Sequence, residues 1–571
     1  MTHIITQSCC NDASCVAVCP VNCIHPTPDE PDYRRAEMLY IDPDSCIDCG
    51  ACMDVCPVDA IVTDGELTLE TEPYAEINAA YYSDQEPGTA GDVGSPAVTV
   101  KTPPEAAPLR VAVVGSGPAA FYAAEELLSR RGLYVEVSMF ERLPTPWGLV
   151  RFGVAPDHPR TKTVTELFQK TARRKGFNFY LNTEVGKHIS HEEILAHHDA
   201  VIYAVGAPED RRLGIPGEEL PGSHSATDFV AWYNGHPDYV HRTFDLATER
   251  AVVVGNGNVA LDVARILVSD VATLARTDIA DHALEALAAS RIKEVVVLGR
   301  RGPFQAAFTT PELLALGNLP GIDVTADTAA ESGPDGAGMG GAFPASLKSK
   351  IIAEYAARER TPGNRLINLS FLRSPVEFFG ERSVRGIRIS RNRLVDDSHG
   401  NVTVEQTGVV EDLECGLVLR SVGYRGRPVP GLPFDSRAGT IPNIDGRVLD
   451  PESGQPSKGV YTAGWIKRGP SGVIGTNKLC ARDTVTQLLD DHFAGRLQSP
   501  SKGQRELDEL VEQRQPRRID LSGWKSIDSH EVSAGILGGR PRVKLVEVDE
   551  MLRVAGAENA DAVTPIGSAS I

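Results

Sequence analysis

Lysine and arginine are nearly missing from the first 108 positions, which hold 3 of them against 19 aspartates and glutamates and so carry −16 of the chain's formal −20. That balance excludes nucleic-acid binding, which needs a basic face. The acidic stretch is expected to be a solvated surface, or to dock on a basic face of the same chain or of a partner. Long apolar runs are missing as well. None approaches the ~20 residues that cross a bilayer, so a soluble protein with no membrane partner is expected. The opening "MTHIITQSCC" lacks the basic, apolar and small-residue order of a secretory signal. Cysteine is scarce beyond residue 56, where only Cys415 and Cys480 remain of 11, both read as ordinary buried thiols. A disulfide framework belongs to short secreted chains, so nine cysteines at one end of a 571-residue chain point to metal ligation in a reducing cytoplasm. The length and a 42% hydrophobic composition suffice for several domains with true cores.

What is present begins with "SCIDCGACMDVCPVDA". Cys46, Cys49, Cys52, Cys56 and Pro57 follow C-x2-C-x2-C-x3-C-P, the bacterial iron-sulfur run whose fourth cysteine serves a second cluster. A zinc ribbon would instead show two separated C-x2-C pairs. The second run is "SCCNDASCVAVCPVNC", where the same spacing selects Cys9, Asp12, Cys15, Cys19 and Pro20. Two-cluster pairing then groups Cys19 with Cys46, Cys49 and Cys52 around a 4Fe-4S cluster. Cys56 joins Cys9 and Cys15 at the other, whose fourth corner is Asp12 or vacant. A vacant corner makes it 3Fe-4S, and a filled one a second 4Fe-4S. Cys10 is a further candidate for that corner, and Cys23 has no place in either set.

"LRVAVVGSGPAAFYAAEELL" is an apolar strand, a glycine turn and an alanine-rich helix. Gly115, Gly117 and Ala120 form G-x-G-x-x-A, which lets the backbone approach a pyrophosphate at a helix N-terminus. Glu141 ends the next strand, where an acid accepts ribose hydroxyls. The pattern returns at Gly255, Gly257 and Ala260, but its following strand, "EVVVLGRRGP", ends in Arg300 and Arg301. Two guanidiniums there suit a 2'-phosphate, so this turn is expected to prefer NADP over NAD. Clusters, a flavin and a nicotinamide form a set that converts hydride into single electrons.

"PWGLVRFGVAPDHP", "GNGNVALDVARIL", "GRRGPFQAAFTTPEL" and "GWIKRGPSGVIGTNK" closely resemble adrenodoxin reductase and its bacterial ferredoxin-NADP reductase relatives. The resemblance runs from about Leu109 to the C-terminus, and the N-terminal part resembles a bacterial two-cluster ferredoxin. It implies an α/β fold of two Rossmann-like dinucleotide-binding domains, one inserted in the other, behind a small α+β ferredoxin-like domain. The expected boundaries are 1–80 for the ferredoxin domain, 81–108 for a linker, 109–208 with 416–571 for the FAD domain, and 209–415 for the NADP domain. It implies FAD contacts at Ala119, Glu141, Leu149, Val185, Trp465 and Gly472, Val473 and Ile474. NADP contacts are implied at Asn256, Gly257, Asn258, Val259, Arg300, Arg301, Glu312 and Gly472. Taken singly, Trp465, Leu149 or Val185 would read as core. Asp157 and His158 fall in that family's flavin-facing segment and are candidate catalytic residues, although a histidine between aspartate and proline is commonly a loop hydrogen-bonder. The expected activity moves electrons from NADPH to FAD to clusters to ferredoxin or another one-electron acceptor protein. An electron-input subunit resembling the glutamate synthase small subunit is the alternative, disfavoured by "GLVRFGVAPDHP"; a non-catalytic relay module is another.

Overall fold

In the computed structural model the described residues are 2–83, 108–327, 343–396 and 402–557. They form two compact units. The first gathers 2–83, 152–164 and 209–424. The second gathers 108–151, 165–208 and 425–557.

Residues 2–83 of the first unit form a small α+β domain built twice over, with an offset of 37 positions. Strand His3–Ile5 pairs antiparallel with Ile61–Thr63, and Ile24–His25 with Tyr40–Ile41. Each cysteine run ends in a five-residue helix, Ser14–Val18 or Ala51–Val55, stopped at Cys19 or Cys56 by the proline that follows. Left-handed residues recur at matching places: Asn11 and Asp48, Ala13 and Gly50, Asn22 and Asp59. A third helix, Pro73–Ser83, closes the domain, with Asn78 bonding the backbone of Ile5 and Ile41. The expected linker therefore starts later. Tyr81 stacks on Tyr40, and the Tyr82 hydroxyl donates to the carbonyls of Cys23 and Tyr40. The rest of the expected linker, 84–107, lies outside the described residues.

The remainder of the first unit is a six-stranded parallel sheet in the order Ser223–Ser225, Leu417–Arg420, Arg250–Val254, Glu294–Gly299, Arg365–Phe371, Ile322–Asp327. Helices on its faces explain why "AVVV" and "EVVVLG" are continuously apolar rather than alternating. Here the boundary differs from the expected 415/416. Leu417–Arg420 lies between two strands of this sheet, so the first unit extends to Tyr424. The 152–164 segment, expected with the FAD domain, also belongs to this unit.

The second unit holds a seven-stranded sheet in which Pro456–Thr462, Ala200–Tyr203, Leu109–Val114, Val135–Phe140 and the edge strand Phe177–Tyr180 lie side by side in parallel. Val111, Val113, Val137 and Ile202 are fully buried. Each such side chain contributes roughly 1.5–3 kcal/mol. Helix Pro118–Leu128 starts with proline at its first turn, contains no β-branched residue, and packs against helix Thr476–Phe493.

Candidate functional site

The cysteines line two solvent-open cavities of about 290 and 280 Å³. Cys19, Cys46, Cys49 and Cys52 share the first. Cys9, Cys15, Cys56 and Asp12 share the second. These are the two groups expected from the spacing, and four or three converging thiols fit iron-sulfur ligation. Cys10 also faces the second cavity, and Cys23 the first, with its sulfur 3.4 Å from that of Cys19. The Asp12 carboxylate is 37 positions before Cys49, its counterpart in the repeat, but it accepts from the Ser14 amide at 3.2 Å and from the Ser14 hydroxyl. Burial pushes the Cys9 thiol up to about 12 and the Cys52 thiol to about 11. Metal ligation there requires thiolate and so releases protons.

At the first glycine turn, Gly115 has φ +103°, and a Cβ there would stand 2.5 Å from the Ala204 carbonyl oxygen. Only glycine fits. A Cβ on Gly117 would meet nothing within 4 Å, which leaves open space above the N-terminus of helix Pro118–Leu128. The turn is coupled to the acid expected beside it: Ser116 Oγ donates to Glu141 Oε2 at 2.7 Å, and Glu141 Oε1 accepts from the Leu143 amide. Trp147, at φ +86°, donates its amide to Ser116 O and presents Leu149 beyond it. A Cβ on Gly464 would lie 2.6 Å from that of Ala119, which brings the Trp465 segment onto the same helix. Gly472, Val473 and Ile474 precede helix Thr476–Phe493, and the Trp465 indole donates to Ser471 O. Val185 lies in the buried cluster that includes Val114, Phe140 and Tyr180.

The second turn repeats the first. Gly255 has φ +119° and no room for a Cβ against Ser421 O, whereas Gly257 faces open space and caps helix Asn258–Val268. Asn258 bonds the backbone and hydroxyl of Thr309, fixing the loop that leads to Glu312. Val259 packs against the core. The Asn256 side-chain amide and the Arg301 Nε are buried with no hydrogen-bond partner among the described residues. Orphaned donors beside a glycine turn fit an anionic nucleotide. Arg300 is exposed, and its carbonyl is held by Asn392.

Asp157 and His158 meet the helix after this turn. Arg265, 4% exposed, donates to both oxygens of Asp157 at 2.6 and 3.0 Å, to Asp262 at 2.7 Å, and approaches His158 Nε2 at 2.7 Å. A guanidinium has no lone pair to offer, so His158 Nε2 is the acceptor. Its proton then sits on Nδ1, which faces Glu312 Oε1 at 3.7 Å. Burial raises the Glu312 carboxyl above its ordinary range, and the nearby negative charges of Asp262 and Asp157 add to the rise. Burial acts the same way on Asp157, yet the Arg265 charge and hydrogen bonds overcome it and hold that carboxyl below its ordinary range. A depressed folded value means the pair stabilises the fold in full above the unfolded aspartate value and loses that stability as pH falls. Asp157→Asn is therefore expected to flatten the loss of thermal stability below about pH 4, measured as unfolding temperature against pH. Asp262 and Arg265 stand in "NVALDVARIL", yet sequence reasoning alone misses their role; the available signal is a charged i, i+3 pair inside an otherwise apolar helix.

Residues 39–62 match the 4Fe-4S binding domain family, and residues 109–302 the pyridine nucleotide-disulphide oxidoreductase family. A probable ferredoxin/ferredoxin–NADP reductase of Mycobacterium tuberculosis is 50% identical over 565 residues, covering 97% of this chain and 95% of that one. The chain belongs to the ferredoxin/ferredoxin–NADP reductases. The mitochondrial NADPH:adrenodoxin oxidoreductase of Salvelinus fontinalis is 42% identical over 78% of this reductase and 91% of its own length. A solved structure of Mycobacterium tuberculosis FprA in complex with NADPH superposes with a TM-score of 0.75 at 49% identity, covering 79% of this reductase and all of that chain. The present reductase is thus an NADP-linked oxidoreductase flavoprotein with a 4Fe-4S binding domain at its N-terminal end. Among its described residues no helix is long and apolar enough to cross a membrane.

Proposed function

We propose that this reductase takes hydride from NADPH onto FAD and passes the electrons singly through two iron-sulfur clusters to a ferredoxin or another one-electron acceptor protein in the cytoplasm. The observation that carries this reading is the presence, in one chain, of two thiol-lined cavities and two glycine turns whose donors fit those groups. When bound, a flavin supplies the exchange between two-electron hydride chemistry and one-electron cluster chemistry. Gly115 and Gly117 would admit the FAD pyrophosphate, Glu141 would accept the ribose hydroxyls, and Ala119, Leu149, Val185, Trp465, Gly472, Val473 and Ile474 would enclose the rest. Asn256, Gly257, Asn258 and Val259 would hold the NADP pyrophosphate, and Arg300 and Arg301 its 2'-phosphate; Glu312 and Gly472 are the further NADP contacts that the family resemblance implies. The similarity to the NADPH complex of FprA supports the nicotinamide part. Hydride transfer needs no acid or base at its centre, so Asp157 and His158 act by position: Asp157 orients Arg265, and Arg265 keeps the His158 proton on Nδ1 towards Glu312.

Cys19, Cys46, Cys49 and Cys52 would ligate a 4Fe-4S cluster. Cys9, Cys15 and Cys56 would ligate the other as 3Fe-4S, because the hard oxygen of Asp12 is a poor fourth ligand for that iron and is already hydrogen-bonded to Ser14. NADPH-dependent reduction of ferricyanide and cytochrome c by the isolated chain tests the route. Electron paramagnetic resonance of the aerobically purified protein is expected to show a 3Fe-4S signal at about seven irons per chain, and Asp12→Cys to remove it at about eight. A wild type with about eight irons and no such signal makes the second cluster 4Fe-4S. A change of cluster type on Cys10→Ala rather than Asp12→Cys would assign the corner to Cys10.

A further inference from the structure

The two cavities differ in what surrounds them. Cys56 lines the second, and the next residue, Pro57, accepts a hydrogen bond from Thr163 Oγ1 at 2.8 Å. Leu39 lines it too, and two residues before it Glu37 accepts from the Thr310 amide at 2.7 Å and pairs with Lys348. Glu37 and Lys348 keep only 12% and 9% side-chain exposure. Two of the chain segments that wall the second cavity, those of Leu39 and Cys56, therefore run straight into the contact with the NADP-side domain, at the helix that carries Glu312 and the segment that carries His158.

The first cavity opens the other way chemically. Ile47 on its lining is 59% exposed, Val21 is 38% exposed, and Cys49 is exposed. Single exposed aliphatics are common, but two at the mouth of one thiol-lined cavity form an apolar spot. Exposed Asp44, Asp48 and Asp54 flank it in the chain, and no lysine or arginine occurs between Arg35 and Lys101. An apolar centre with a one-sign rim is the form of a transient electrostatically steered interface.

Resting on the proposed electron route, we infer that the clusters are used in a fixed order: the Cys9, Cys15 and Cys56 site on the reductase side, and the Cys19, Cys46, Cys49 and Cys52 site at the outlet. The outlet rim docks a one-electron carrier protein whose own redox centre lies under an apolar spot ringed by lysines and arginines. Electron transfer falls steeply with distance through protein, so the cluster at the exposed mouth serves the partner. Each NADPH oxidised to NADP+ and a proton supplies two electrons, and two carrier molecules are reduced in turn by one electron each.

The test uses the full-length holoprotein with cytochrome c, a small basic haem protein, as the probe. In the oxidised proteins at low salt, without turnover, amide-hydrogen exchange is expected to show cytochrome c protecting peptides over 17–22 and 44–55. Asp44→Lys with Asp54→Lys is expected to weaken binding on the order of tenfold and to abolish its salt dependence, with ferricyanide reduction unchanged. Glu70→Lys with Glu72→Lys, outside both cavity linings, is expected to have a much smaller effect. Protection centred on 64–76, or equal losses from both pairs of substitutions, overturns the outlet assignment. Iron content and ferricyanide activity of the same wild-type preparation separate the two readings. A chain with full iron and activity that docks elsewhere overturns only this order, whereas a chain without iron overturns the proposed route and the order with it.

Discussion

Alanine at both Arg300 and Arg301 is expected to raise the KM for NADPH about a hundredfold while leaving that for NADH nearly unchanged. The two arginines follow strand Glu294–Gly299, at the place where an NAD-specific fold carries an acid. Each charge-assisted hydrogen bond to a phosphate is worth about 1.5 kcal/mol or more, and 1.4 kcal/mol is tenfold. Arg301 Nε is already buried and lacks a partner among the described residues, so the cost of desolvating that atom falls in folding rather than in binding. NADH lacks the 2'-phosphate and gives the pair nothing to hold. Steady-state kinetics with both nicotinamides check this, and equal losses for the two would refute a 2'-phosphate role.

Glu531→Ala is expected to lower the free energy of unfolding by about 3–5 kcal/mol and to loosen the segment at the first glycine turn. Glu531 is fully buried in helix Leu521–Leu537, and Arg151 meets it with two hydrogen bonds of 2.9 and 2.5 Å. Arg542 and the Leu545 amide also donate to it. Burial alone would push this carboxyl up, but the Arg151 and Arg542 charges and hydrogen bonds hold it below its ordinary range. Removing the carboxylate takes from the buried Arg151 guanidinium the two charge-assisted hydrogen bonds it makes to Glu531, which is why the loss exceeds that of an exposed pair. The same helix packs Trp524 edge-on against Trp147, whose left-handed backbone bonds Ser116 at the turn. Denaturant unfolding reads the stability loss, and release of flavin fluorescence on mild heating reads the loosened turn. Retention of flavin by a strongly destabilised variant would separate the clamp from the cofactor site.

The cysteine grouping and both glycine turns are legible in the sequence because their chemistry is encoded locally. Ligands spaced by two or three residues must share one turn, and a strand, G-x-G and helix span some twenty residues whatever surrounds them. The offset of 37 between the cysteine runs marks Asp12 as the odd position by spacing alone. Local encoding does not extend to boundaries. Leu417–Arg420 reads as any apolar strand, and only hydrogen bonding between Ser223–Ser225 and Arg250–Val254 assigns it to the parallel sheet of the first unit. Nor does it reach the buried charges. Asp157 and Arg265 are 108 residues apart, Arg151 and Glu531 are 380, and Glu37 and Lys348 are 311. In sequence each is one charge among many. Whether a charge is a solvated surface group or half of a desolvated pair depends on its burial and on the distance to its partner. Those two quantities exist only after the chain has closed on itself, which is why residue type and spacing determined which thiols and glycine turns this reductase offers, and tertiary packing decided which charges are paired beside them and which thiol-lined cavity is edged by exposed aliphatic side chains.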